Sequence, residues 1–128
     1  MKQTPKGILK RWCDGINKKR LGDLLRLYNN EAELLPTFSN RRLNSSDEIK
    51  KYFERLLACK KLSVDVHDRT VCVLKTSDTV CVVSGIYLWK IEMEKELLHF
   101  EARFTMVVDV RLSAPVLHHH SSQIPRML

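Results

Sequence analysis

The chain has 128 residues, 44% of them hydrophobic and 29% charged, which is the balance and length of one ordinary domain able to bury a core without disulfides or metal. Its formal charge of +7 sits in one half: residues 1–61 carry 15 Lys and Arg against 7 Asp and Glu, and residues 62–128 carry 7 against 8. No apolar run approaches the roughly 20 residues of a membrane helix, and Met1 to Gly7 lacks the apolar stretch of a secretory signal, so a cytoplasmic chain without membrane contact, one domain over 1–128, is expected.

Thr4-Pro5 is a helix start, a capping residue followed by proline at the first helical position. Ile8, Leu9, Trp12 and Ile16 then recur at spacings of three and four and make one apolar stripe. A second short helix from Leu21 carries Leu24, Leu25, Leu27 and Tyr28 to a turn at Asn29-Asn30, and Ala32 to Leu35 form a short extended piece stopped by Pro36. Ser45 and Glu48 have the spacing of a capping box. The helix they open presents Ile49, Tyr52, Phe53, Leu56 and Leu57 to the core and leaves Lys50, Lys51 and Arg55 outside. That placement makes the basic excess a solvated face, and a nucleic-acid partner is not expected.

Beyond Lys61 the period changes to two, and four strands are predicted at about 62–74, 79–91, 97–110 and 115–122. Helices followed by a meander of strands predict an α+β fold, with helices packed on an antiparallel sheet. The four cysteines show no C-x-x-C spacing, so no metal site is expected. Cys72 and Cys81 are predicted opposite each other across a hairpin at Lys75 to Asp78, as a disulfide or, by preference, as two reduced buried thiols.

Turns at Glu94-Lys95 and Leu112-Ser113 assign every strand residue to a face. One face carries Cys81, Val83, Tyr87, Trp89, Phe100, Ala102, Phe104, Met106, Val108, Leu117 and His119. The other mixes Val80, Val82, Ile86, Leu88 and Val107 with Ser84, Glu101, Arg103, Thr105, His118, His120 and Ser122. An apolar lining with a few convergent polar groups is the composition of a small-molecule pocket. The mixed face is therefore predicted on the helix-covered side, and the aromatic face, with His119, against a partner subunit.

The segments Gly22 to Tyr28, Ala32 to Thr37, Tyr52-Phe53, Gly85 to Tyr87, Ala102 to Thr105 and His118 to Ser122 with Pro125, together with Trp12, resemble in order the nuclear transport factor 2-like superfamily. Within it they look like the SnoaL-like branch and the association domain of calcium/calmodulin-dependent protein kinase II. The resemblance covers roughly residues 8–125 and implies a cone-shaped fold, a curved sheet around the N-terminal helix, with a cavity and with dimers or rings made through the sheet. It also implies cavity arginines, of which Arg103 matches one, while other such positions read Tyr87 or lysine. The last turn, Arg111 to Pro115, departs from the family's glycine turn and tryptophan.

Two functions follow as expectations. The first is a non-catalytic oligomeric module, binding itself and a small anionic organic ligand through Arg103, His118, His120, Glu101, Thr105 and Tyr52, with no cofactor. The second is an isomerase, cyclase or dehydratase whose general base is a histidine or one of Asp23, Asp65, Asp68 and Asp109. A carboxylate and a histidine meeting at one cavity point favour the enzyme; a cavity of mutually paired polar groups favours the module.

Overall fold

The computed structural model of the chain describes residues 3–125. Two helices, α1 (Pro5–Asn17) and α2 (Leu21–Leu27), run into strand β1 (Tyr28–Leu35), and α3 (Ser46–Leu57) follows. The remaining strands are β2 (Leu62–Val66), β3 (Cys72–Lys75), β4 (Val80–Met93), β5 (Glu96–Asp109) and β6 (Val116–Gln123). Both predicted caps form: Thr4 Oγ1 accepts from the Gly7 N–H at 3.0 Å and Ser45 Oγ from the Glu48 N–H at 3.2 Å. The Glu48 carboxylate returns the contact by accepting from the Ser45 hydroxyl and the Asn44 N–H, and the Asn44 contact leads in holding its pKa below the usual carboxylate range. Each cap satisfies N–H groups that the first helical turn leaves free. Where α1 and α2 cross, Gly15 allows the approach, since a Cβ there would lie 2.8 Å from the Leu24 side chain.

The six strands form one sheet in the order β1-β6-β5-β4-β2, with β3 paired to the other half of β4. β4 and β5 make a long hairpin closed by Glu94-Lys95, both at positive φ (50° and 68°), the backbone hand that a two-residue hairpin turn requires. The helices and the predicted strand faces hold, and four details differ. The sheet is mixed, because β1 pairs in parallel with β6. Asn29-Asn30 is no turn: β1 already begins at Tyr28, opposite Val116. The strand predicted over 62–74 breaks at a 3-10 turn, Asp68–Thr70. There the Thr70 hydroxyl takes the place of a ladder carbonyl by accepting from the Ile86 N–H at 2.9 Å, and Gly85 leaves the space for it. Finally, Leu117 is displaced by a bulge, so Val116 pairs with Val108 and is fully buried.

The cysteine expectation also changes. Cys72 pairs with Ser84 and Cys81 with Lys75, three positions out of register with one another; Cys81 is buried, Cys72 is exposed, and both are free thiols. Burial settles which face the helices cover. Tyr87, Trp89, Ala102, Phe104, Met106, Val108 and His119 are each at most 2% exposed, packed with Ile8, Trp12, Ile16 and Phe53 from the helices. The aromatic face is thus the inner one and the mixed face the outer one, the reverse of the expected sides. The reason is bulk: the helical stripes carry large apolar groups that need the aromatic face, while Arg103, Glu101 and His120 keep water. Among the described residues no helix is long and apolar enough to cross a membrane.

Candidate functional site

The interior between α1, α3 and the sheet is built by residues that alternate inward along the strands. β4 contributes Tyr87 and Trp89, β6 contributes His119 and Ser121, α1 contributes Trp12, and Tyr28 enters at the junction of α2 and β1. Their rings interlock. Trp12 stacks on Tyr87 at 5.3 Å, Tyr87 stacks on Phe104 at 4.5 Å, and Trp12 meets Trp89 and His119 edge-on at 5.7 and 5.2 Å. Offset stacks and edge contacts of this kind add to area burial.

A chain of hydrogen bonds runs through these rings. The Trp12 indole, which can only donate, gives its Nε1–H to the Tyr28 oxygen at 3.0 Å. The Tyr87 hydroxyl donates to Ser121 Oγ at 2.6 Å, and Ser121 is hydrogen-bonded in turn to the Thr37 hydroxyl. With its proton committed to Ser121, Tyr87 can only accept from His119 Nε2, 3.2 Å away. His119 then carries its proton on Nε2, and Nδ1 accepts from the Tyr28 hydroxyl at 2.8 Å. Every polar atom of the chain is partnered and the tautomer is fixed by its neighbours.

Burial governs the titration of this chain. Loss of hydration holds His119 down to about 3 and pushes the Tyr28 and Tyr87 phenols well above their ordinary range. The room left is small: a void of about 10 Å³ remains among Thr37, Tyr52, Tyr87, Trp89, His119 and Ser121. That volume is about one water. Among the described residues no carboxylate lines it. Trp89 Nε1 is the exception to the pairing, a buried donor with no hydrogen-bond partner among the described residues.

Of the six expected ligand-binding residues, only Tyr52 lines this interior void. Arg103, Glu101, Thr105, His118 and His120 are brought together instead on the outer face of the sheet. There the register sets Arg103 beside Ile86 and Ser122, Thr105 beside Ser84 and His120, and His118 beside Val107 and Glu33. Arg103 and Glu101 do not pair with each other: Glu101 bonds His67 at 3.1 Å, and Glu33 bonds His118 at 3.1 Å. The expected bases also stay apart, Asp23 pairing with Arg26 and Asp109 with Arg111. Sequence reasoning missed Thr37, Ser121 and the interior role of His119. The alternation along β6 contained the signal, since His119 and Ser121 share the face of Met106 and Phe104.

The model of the calcium/calmodulin dependent protein kinase II association domain family matches residues 2–125. No curated protein matches the chain. Among solved structures, a protein of Xanthomonas campestris described as such an association domain is 25% identical, with 95% of this chain and 86% of that one covered at a TM-score of 0.84. A nuclear transport factor 2-like superfamily protein of Salmonella enterica is 12% identical over 94% of this chain and 89% of its own, at a TM-score of 0.80. A ketosteroid isomerase-like protein of Erwinia carotovora is 8% identical, with 94% of each chain covered and a TM-score of 0.74. The last two share the fold alone. With three helices on a curved mixed sheet and a family match over almost its whole length, the chain belongs to the calcium/calmodulin dependent protein kinase II association domain family.

Proposed function

We propose that the chain is a self-association module whose subunits meet through the outer face of the sheet. The observation that carries this reading is an apolar band on a face that no helix covers. Leu74, Val82 and Val107 lie side by side across three strands, and beyond Ser84 the same face of β4 carries Ile86 and Leu88. Leu74 is 63% exposed, and the other four are only partly buried. Exposed apolar surface of this kind marks an interaction face. Around the band stand Glu101, Arg103, Thr105, His118 and His120, polar groups that would fix register between two copies as a rim does in other interfaces. The association that the family's name describes agrees with this use of the face.

The alternative of an isomerase, cyclase or dehydratase draws support only from fold likeness. His119 has both nitrogens engaged and stays neutral far below physiological pH, so it is a poor proton acceptor. The mutually paired interior is the arrangement expected of a module. Light scattering on a size-exclusion column tests the proposal. The wild type is expected to elute as a dimer or larger ring, and Val82→Glu with Val107→Glu as a folded monomer with unchanged circular dichroism. A wild-type monomer, or a double variant that still assembles, overturns it.

A further inference from the structure

We infer that the cleft beside α3 is a binding site for an aryl carboxylate, a small aromatic molecule bearing one carboxylate group. The inference goes beyond self-association and does not depend on it. The cleft has a volume of about 490 Å³ and lies between α3, the segment after β1 and the far end of β4. Its floor is apolar, made by Leu43, Leu56, Ile91 and Met93, and the rings of Phe38 and Tyr52 stand at its side. Such walls suit a flat aromatic body, which buries apolar surface and stacks on aromatic neighbours.

The rim supplies the charge. Arg41, Glu48, Lys51 and Arg55 border the cleft. The Glu48 carboxylate is occupied by the α3 cap and by Arg41 at 3.6 Å, so these two charges answer each other. Lys51 and Arg55 are one helical turn apart on α3, and among the described residues neither has a carboxylate within ion-pair distance. Two uncompensated cations over an apolar floor are matched by a ligand whose body is apolar and whose head is anionic. The guanidinium of Arg55 can take a carboxylate through two parallel N–H bonds, with the Lys51 ammonium as a second charge.

A second, independent observation points inward from the same cleft. Tyr52 and Leu56 line both the cleft and the interior void, so the two spaces share a wall. Phe38, which borders the cleft, covers Trp89 with an edge-on ring contact at 5.2 Å. Trp89 is 2% exposed and its Nε1–H is the buried donor left without a partner. An acceptor atom on a ligand whose ring takes the place of Phe38 would satisfy that donor.

The test uses 1-naphthoate and its neutral counterpart 1-naphthamide, titrated into the whole chain by calorimetry. Saturable binding of naphthoate is expected, with naphthamide at least about tenfold weaker. Lys51→Glu with Arg55→Glu should weaken naphthoate at least about tenfold while leaving the melting temperature in place, and Lys51→Met with Arg55→Met should weaken it in the same direction. Arg103→Glu, on the outer sheet face, should leave it unchanged. Trp89→Phe should weaken naphthoate less than the charge variants do. The inference is overturned if naphthoate does not saturate, if naphthamide binds equally, if both α3 double variants bind as the wild type does, or if Arg103→Glu alone abolishes binding.

Discussion

The two faces of the sheet are made from the same three strands, and they solve opposite problems. Inward, β4, β5 and β6 present Tyr87, Trp89, Phe104, Met106 and His119, each at most 2% exposed. Outward, in alternation, they present Leu88, Arg103, Thr105, His118 and His120, all at least partly in water. Apart from Trp89 Nε1, the polar atoms inside are joined into one directed chain whose ends and tautomer are set. Those outside make separate pairs, His118 with Glu33 and His67 with Glu101, that water can replace. The contrast separates two tasks. A buried network with every member partnered specifies one monomer fold, whereas an open face with loosely held polar groups remains available to another surface.

The comparison can be broken most directly by truncation. Trp12→Ala removes the stack on Tyr87 and the donor to Tyr28. It should cost about 3 to 5 kcal/mol, whereas Arg103→Ala should stay within about 0.5 kcal/mol, both read by urea denaturation. Equal losses would mean that the outer face also holds the monomer together. Acid gives the next largest effect. Folded His119 remains neutral down to about 3. The unfolded chain takes up that proton below about 6.5, so this part of the stability is complete above that pH and falls by up to about 1.4 kcal/mol per unit as the pH drops toward the folded value. The difference between wild type and His119→Phe across a series of denaturation curves isolates the slope, and parallel curves would show that His119 is not held neutral. The smallest effect belongs outside. Glu33→Gln breaks a pair whose side chains are each 34% exposed. A loss under about 1 kcal/mol that shrinks further in salt is expected from thermal melts.

Much of the fold was legible because its signals are local. Thr4-Pro5 and Ser45 to Glu48 announce their helices through caps that need only four residues, and the two-residue period assigns side chains to faces without knowledge of what covers them. What sequence could not supply is the third layer. Both faces carry apolar groups, so the side that the helices cover depends on how Trp12, Ile16 and Phe53 fit against Tyr87 and Phe104, a matter of shape between distant segments. Asn29-Asn30 has turn chemistry, yet its neighbours are held extended by a strand some ninety residues away, and nothing near it in sequence reports that partner. Lys51 and Arg55 read as a solvated helical face for a similar reason. The cleft below them is completed by Phe38, Leu43, Ile91 and Met93 from two other elements.

The parallel pairing of β1 with β6 has a consequence in time. Tyr28 and His119 are 91 positions apart, so their bond and the strand pairing around it close a loop that holds most of the chain. Until β6 docks, β1 and β5 each present an unpaired edge, and the hydroxyls of Tyr28 and Tyr87 have water for company. Contacts of such long range form slowly, because chain entropy is lost before they repay it. β6, paired on one side with β1 and on the other with β5, is thus the strand that seals the interior.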